Sequence, residues 1–389
     1  MKDILPPLNR GKTVLDKSAF DATFEALAIR VPSPKVKQIV TCLENELLNL
    51  PRLHNVISDT KETKLVLLNL DIKEIKQLEE EKLKMIEGFE VIKHRFTVDY
   101  NYWTTEQILY SVMPEGDEET PSSYTVTGHI AHLNLKEENI AFKHLIAQVI
   151  LDKNKKIKSV VNKTNNIDNT YRNFEMEILA GDSNMITELK ENECRFKFDF
   201  SKVYWNSRLQ AEHCRLVRIF KKGEYICDVM AGVGPFSIPS VKKGCVVYAN
   251  DLNPTSYEWL CENVKLNKIK ENIYAFNMDG REFIKKAIHD LHQQGKQFDH
   301  FIMNLPATAI EFLDAFKGIY KDQQQSYLPM IHCHCFTRSS DPVNDIRQRV
   351  TKVMGSPIDE ISLHFVRTVA PKKNMYCLTF RLPAQVAFE

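Results

Sequence analysis

CDVMAGVGPFS, residues 227–237, reads as an apolar strand running into a glycine turn that opens a helix. Gly232 and Gly234 let the backbone come close to a ligand and adopt torsions closed to other residues. Many α/β proteins carry such a turn, so its details decide. The pattern is A-G-V-G-P-F rather than G-x-G-x-x-G, and Pro235 stands where a pyrophosphate-binding helix would present an amide. The lost donor argues against NAD, FAD or ATP and suits a cofactor without phosphates.

Outward from this turn, strand and helix patterns alternate from about residue 201. CVVYANDL leads into PTSYEWLCENVKLNK, NIYAFNMDG into REFIKKAIHDLHQQG, FDHFIMNLP into TAIEFLDAFKGIY, and YLPMIHCHCF into DPVNDIRQRVTKVM. Such alternation predicts βαβ units and a parallel sheet covered on both faces. The end, DEISLHFVRTVAPKKNMYCLTFRLP, predicts an antiparallel hairpin at the sheet edge. Asp251 closes the second strand, where a carboxylate accepts hydrogen bonds from both ribose hydroxyls, although Asp251 or Asn253 serves equally as a helix cap. Asp279 closes the third strand and is placed for an adenine amino group. Together these strand ends describe a class I, Rossmann-like methyltransferase fold that uses S-adenosylmethionine, with seven strands and a C-terminal antiparallel hairpin.

The 389 residues suffice for two or three domains, each with its own core. A net charge of +1 excludes a histone-like polycation but leaves room for a local basic face. No run reaches the roughly 20 apolar residues of a membrane helix. Nine scattered cysteines, odd in number and without a secretion signal, read as reduced thiols. The HCHC run at 332–335 hints at a metal, but it lies in a strand pattern whose alternate residues face opposite ways, so no metal is expected.

Three modules are expected. Residues 1–90 read as a mainly helical α/β module that contacts RNA, with helices in SPKVKQIVTCLENELLNL and DIKEIKQLEEEKLKMI and a strand in TKLVLLNL. Residues 91–200 form a mixed α/β module with an acidic loop at 113–125 and lysines at 153, 155, 156, 158 and 163. Such lysines are ordinarily a solvated loop; beside a domain that handles an anion they become a substrate face. Residues 201–389 are the methyltransferase domain.

At 302–308 the chain reads IMNLPAT. Asn304 either opens a turn or reads the edge of a flat, uncharged ring. Class I enzymes acting on exocyclic amines carry N/D-P-P-Y here, with an aromatic residue stacked on the base. Ala307 takes that fourth place, which disfavours an exocyclic amine and points to a ring nitrogen.

GHIAHLNL, YRNFEMEILAG, VYWNSRLQAEH, DVMAGVGPFSIP, NDLNP, MNLPATAIEFLDAF and RTVAPKKNMYC follow in order over roughly residues 90 to 385. The set closely resembles the archaeal and eukaryotic tRNA (guanine-37 N1)-methyltransferases. The resemblance implies methylation of N1 of guanosine 37 beside the anticodon, supporting the reading frame and the first step of wybutosine formation. It assigns Glu212 as general base, Arg172 as the cation stabilising charge on O6, and Asn304 as the group positioning the base. Arg208, His213, Ala231, Gly232, Val233, Gly234, Phe236, Asp251, Leu252, Asp279, Gly280, Asn304 and Pro306 are the expected cofactor contacts. From the residues alone, Glu212 reads as a helix-surface glutamate beside Arg208 or Arg215, and only the resemblance makes it a base. Ser207 departs from the family's proline, which is expected to loosen the start of the helix bearing Glu212. The implied partner is a tRNA whose target base is turned outward, bound by a monomer. The nucleus and cytoplasm, with a mitochondrial matrix pool, are the expected locations. The rival readings are an aminocarboxypropyl transferase of the wybutosine pathway and a non-catalytic tRNA-binding protein. Retention of NLP, Glu212 and Arg172 favours methyl transfer.

Overall fold

In the computed structural model, residues 4–114, 123–167, 174–321, 326–358 and 360–389 are described. Contacts divide the chain into two units: Met1–Ser123 with Leu135–Lys156 and Leu179–Gly181, and Tyr124–Asn134 with Ile157–Ile178 and Asp182–Glu389. The module expected over 91–200 is therefore shared between the units.

The first unit holds β1 (Ala22–Pro32), α1 (Val36–Cys42), β2 (Val56–Ser58), β3 (Thr63–Leu67), α2 (Glu80–Ile86), β4 (Glu90–Val98), α3 (Thr105–Val112) and α4 (Lys143–Lys153). An antiparallel sheet of order β2-β3-β1-β4 dominates it, in place of the mainly helical module expected. The reason lies in β1, whose Ala, Leu and Glu are good helix formers. It pairs with β4 from Ala22↔Val98 to Arg30↔Glu90, and that ladder overrides local propensity. Lys153 is held here too. Its amine bonds the Tyr100 carbonyl and lies 4.1 Å from that ring's centre, so it does not belong to a solvated lysine loop.

The second unit begins with the hairpin β5 (Thr125–Thr127) and β6 (Ile130–Leu133), joined in one sheet by β7 (Ser159–Ile167) and β8 (Phe174–Gly181). A second hairpin, β9 (Ile186–Glu191) and β10 (Cys194–Asp199), precedes α5 (Gln210–Ile219). In β10 the sequence alternation is obeyed: Phe196 and Phe198 are buried while Arg195 and Lys197 face out. Phe198 stacks on the buried Trp205 with ring centres 5.0 Å apart, which fixes the chain just before α5.

The remainder is β11 (Tyr225–Asp228), α6 (Ser237–Lys242), β12 (Val246–Asn250), α7 (Pro254–Leu266), β13 (Ile273–Phe276), α8 (Gly280–His292), β14 (His300–Met303), β15 (Met330–Thr337), α9 (Pro342–Met354), β16 (Ile361–Ala370), β17 (Lys373–Arg381) and α10 (Ala384–Phe388). The sheet order is β13-β12-β11-β14-β15-β17-β16. The first five of these strands are parallel, and β17 runs antiparallel to both its neighbours, as the terminal hairpin requires. TAIEFLDAF forms a 3₁₀ segment, Ala309–Phe316, rather than the expected α-helix. Alternation along β15 sends Cys333 and Cys335 into one core with Phe301 and Leu378, while His332 and His334 face the side that carries Ile302 and Cys377. Among the described residues no helix is long and apolar enough to cross a membrane.

Phe198→Ala removes a fully buried ring from the support of α5 and is expected to cost about 3–5 kcal/mol. Urea unfolding of the two proteins measures it.

Candidate active site

The parallel strands all end on one side of the sheet, where a doubly wound fold collects its ligand loops. β11 ends in Asp228, fully buried, whose Oδ2 accepts the Ser237 hydroxyl at 2.6 Å. Its Oδ1 has no partner among the described residues, and burial pushes the carboxyl up to about 7 against the Ser237 bond. In the turn that follows, Gly232 has φ +56° and a Cβ there would meet nothing within 4 Å, so this side is open to a ligand. Gly234, at φ +96°, has a different reason: its Cβ would lie 2.7 Å from Leu260 Cδ1.

Asp251 turns toward the same loop. Its Oδ2 accepts the Gly232 N–H at 2.8 Å and its Oδ1 the Asn253 N–H at 2.9 Å. Burial raises its pKa, and the two amides oppose that rise. Asn253, not Asp251, caps α7 by accepting the Thr255 N–H. Asp279 caps α8, accepting the Arg281 and Glu282 amides at 2.8 and 3.4 Å. Leu252 is half-exposed, whereas Ala231, Val233 and Phe236 are buried. Gly280 starts α8 packed against Phe312.

Asn304 follows β14 directly. It is half-buried, and its Oδ1 is a buried acceptor with no partner among the described residues. The Pro306 carbonyl accepts the Phe336 N–H at 2.9 Å, tying this turn to the end of β15. Beside Phe336 lies an open depression of about 360 Å³ whose walls carry Arg338, Arg349 and Lys373 with Asp345.

Glu212 sits on α5 and is 4% exposed, so it is no surface glutamate. Arg215 forks onto both its oxygens at 2.7 Å, and His334 Nε2 lies 2.8 Å from Oε1. His364 Nε2 lies 3.7 Å from Oε2. Burial raises the proton affinity of Glu212, but Arg215 and His334 outweigh it and bring the pKa down to about 2. For His334, burial works against the charged form, yet Cys377 and Glu212 lift it to about 10. Glu212, His334 and Cys377 also bring one metal-ligand atom each within 4.8 Å of one another, but the Arg215 fork already supplies the countercharge there.

His213 is buried, bonded through Nδ1 to Glu191 Oε1 at 2.6 Å and edge-on to Phe236, which gives it a structural partner. Arg208 is exposed and bonds Thr125 Oγ1 at 3.2 Å. With Lys163 and Arg367 it forms a cationic group: burial and the Arg208 charge lower the proton affinity of both. His132, beside Lys163 and Arg208, is brought down to about 4, chiefly by burial. The start of α5 is not loose without the proline. Asn206 accepts the Arg208 N–H, and the Ser207 hydroxyl bonds the Val126 carbonyl. Arg172 lies outside the described residues.

Two residues were missed from the sequence. Asn250, buried, donates from Nδ2 to the Val229 and Met278 carbonyls and accepts the Met278 N–H, stitching three strand ends together. Asp228 offers the unpartnered buried acceptor. Both are polar residues closing otherwise apolar strands, and that pattern was the available signal.

S-adenosylmethionine fits these groups. Asp251 matches the ribose hydroxyls, the open side of Gly232 admits a close ligand, and the free Asp228 oxygen suits a cationic amine. A seven-stranded sheet with this turn and these strand ends is that of a class I methyltransferase. Residues 187–356 match the TRM5/TYW2 methyltransferase domain and residues 105–184 the TYW2 N-terminal domain. Curated relatives include a tRNA (guanine(37)-N(1))-methyltransferase of Phytophthora infestans, 44% identical over 97% of this chain and 94% of the relative. The Homo sapiens protein of that name is 42% identical over 99% of this chain and 79% of its own length. The crystal structure of Trm5b from Pyrococcus abyssi superposes with a TM-score of 0.63 at 27% identity, covering 91% of this chain and 98% of that one. The chain belongs to the tRNA (guanine(37)-N(1))-methyltransferase family, whose methyl donor is S-adenosylmethionine.

Two outcomes follow from this geometry. Asp251→Ala is expected to weaken S-adenosylmethionine binding by about 1.5–3 kcal/mol in calorimetry. The Glu212 carboxyl is depressed when folded, so its contribution to stability is present above its ordinary value of 4.5 and fades as pH falls toward about 2. The urea midpoint of the wild-type protein relative to Glu212→Gln is therefore expected to fall across that window.

Proposed function

We propose that Glu212, Asn304 and Arg172 carry the chemistry of this enzyme, which transfers a methyl group from S-adenosylmethionine to N1 of guanosine 37 in tRNA. The observation that carries the reading is the pairing of Asn304, with its unpartnered buried oxygen, and a buried carboxylate at Glu212 in one methyltransferase domain. Guanine N1 bears a proton that must leave as the methyl group arrives, so a base is required. Glu212 accepts it, Asn304 holds the guanine edge, and Arg172 takes the charge that develops on O6 by family likeness.

As it stands, the Arg215 fork makes Glu212 a poor base. Arg215 is part-exposed, with 27% of its side chain accessible. An RNA phosphate that draws the guanidinium away would return proton affinity to Glu212, so the base is armed only with substrate bound. Arg208, Lys163 and Arg367 together, and the basic depression of Arg338, Arg349 and Lys373, are the surfaces offered to the RNA backbone. The lysines expected for this role divide, Lys163 joining the cationic group and Lys153 remaining on Tyr100. We assign the functional unit as a monomer, since the RNA-facing cations and the methyl-transfer site share one chain.

Single-turnover methyl transfer to a guanosine-37 transcript and its adenosine-37 counterpart tests this reading. Only the first is expected to react. Glu212→Gln is expected to slow it by roughly 10²–10⁴-fold and Asn304→Ala to slow it as well. Equal transfer to both transcripts, or an unimpaired Glu212→Gln, contradicts the mechanism. The match of residues 105–184 to the TYW2 N-terminal domain favours one second reading, aminocarboxypropyl transfer. Mass spectrometry of digested product distinguishes the methyl adduct, which is expected, from the larger group.

A further inference from the structure

Methyl transfer to guanine N1 does not balance without an outgoing proton. The N1–H bond breaks, the N1–CH₃ bond forms, and the positive charge of the sulfonium is replaced by one free proton. Glu212, the base in the reading above, is 4% exposed even without RNA over it. A proton taken there needs a way out of the protein.

The face of the sheet beneath α5 carries a run of neighbouring buried polar side chains. His334 Nε2 bonds Glu212 at 2.8 Å, and its Nδ1 is buried with no hydrogen-bond partner among the described residues. Cys377, directly opposite His334 on β17, lies within 4.8 Å of both His334 and Glu212 through ligand atoms. Its Sγ is 4.0 Å from Thr379 Oγ1, two residues along the same strand face. Thr379 Oγ1 lies 2.9 Å from His332 Nδ1, and His332 Nε2 lies 3.0 Å from His300 Nδ1. His300 Nε2 ends the run 3.2 Å from Glu224 Oε2, whose side chain is 20% exposed. Phe220 covers the two histidines, with ring centres 4.9 and 5.9 Å away. This is the HCHC strand, whose two histidines bond Glu212 and Thr379.

We propose that these groups are a proton path leading from Glu212 to solvent at Glu224, used while the RNA still covers the active site. Every link accepts the same direction of donation. The His334 imidazolium gives a proton to Cys377, the thiol to Thr379, the hydroxyl to His332 Nδ1, His332 Nε2–H to His300, and His300 Nε2–H to Glu224. The thiol's link to Thr379, at 4.0 Å, is long and needs a small movement of the thiol to close.

The driving force is electrostatic. Burial alone would neutralise His334; Cys377, and after it the Glu212 carboxylate, hold it charged. Once Glu212 takes the N1 proton, the carboxylate's share of that countercharge is gone and His334 releases a proton away from the site. Burial keeps His332 and His300 neutral, the first brought down to about 3, so each has a lone pair to receive it. Glu224 and Asp299 draw the proton outward at the far end, where the Arg381 charge opposes them. After product leaves, the proton on Glu212 passes to His334 and the ion pair re-forms.

The inference rests on Glu212 being the base, and the test separates the two. Thr379→Val keeps the shape of the side chain and removes its hydroxyl. Methyl transfer and proton release are followed together in a single turnover on the guanosine-37 transcript, the latter with a pH indicator in weak buffer. In the wild-type protein, release keeps pace with transfer. In Thr379→Val, and independently in His332→Gln, release is expected to lag transfer by about tenfold or more, reporting product departure instead. Melting curves check that both variants are folded. Release that still keeps pace in both variants overturns the path. Undiminished methyl transfer by Glu212→Gln overturns the base assignment instead.

Discussion

The carboxylate of Glu212 is buried, and everything around it follows from the need to keep an isolated charge out of an apolar core. A buried carboxylate without partners would take up a proton; with a bidentate guanidinium and an imidazolium it stays ionised. Arg215 and Glu212 come from α5 and His334 from the sheet, so this one ion cluster fixes helix to sheet. Removing one member leaves another buried charge unpaired, which costs more than the intact cluster contributes. In the proposed mechanism the cluster holds the base in place and also suppresses it, and substrate has to undo the suppression.

The same logic organises the cofactor side. Asp251 spends both oxygens on backbone amides, one of them in the glycine turn, and so shapes the turn before any ligand arrives. Asn250 links the ends of β11 and β12 to the segment after β13. With those ends fixed, the free oxygens of Asp228 and Asn304 become the acceptors left for ligands. Rigid strand ends carrying unpartnered polar atoms are a preorganised site.

The methyltransferase half of the fold was legible in the sequence because each of its βαβ units carries a local signature: an apolar strand, a polar strand end, then a capped helix. The placement of Asn304 and Asp251 just after their strands was legible for the same reason. The first unit was not, because β1 is built from residues that favour helix and takes its form only from β4, some sixty residues on. The partners of Glu212 were hidden differently. Arg215 lay in view at a spacing of three, but His334 lies 122 positions away and its strand read as plain core. His213 and Asp279, expected to contact the cofactor, hold partners of their own as well, Glu191 and the first amides of α8. Sequence spacing cannot distinguish a cap from a contact.

The account depends on Glu212 changing its proton affinity between the free and the RNA-bound enzyme. Carbon-13 NMR of the glutamate side-chain carboxyls, with Glu212→Gln used to assign the signal, follows this directly by pH titration. The free protein is predicted to keep Glu212 ionised far below the ordinary carboxylate range. Its midpoint is predicted to move up when a guanosine-37 anticodon stem-loop is bound with S-adenosylhomocysteine. An ordinary midpoint in the free protein, or one that RNA leaves unmoved, would contradict it.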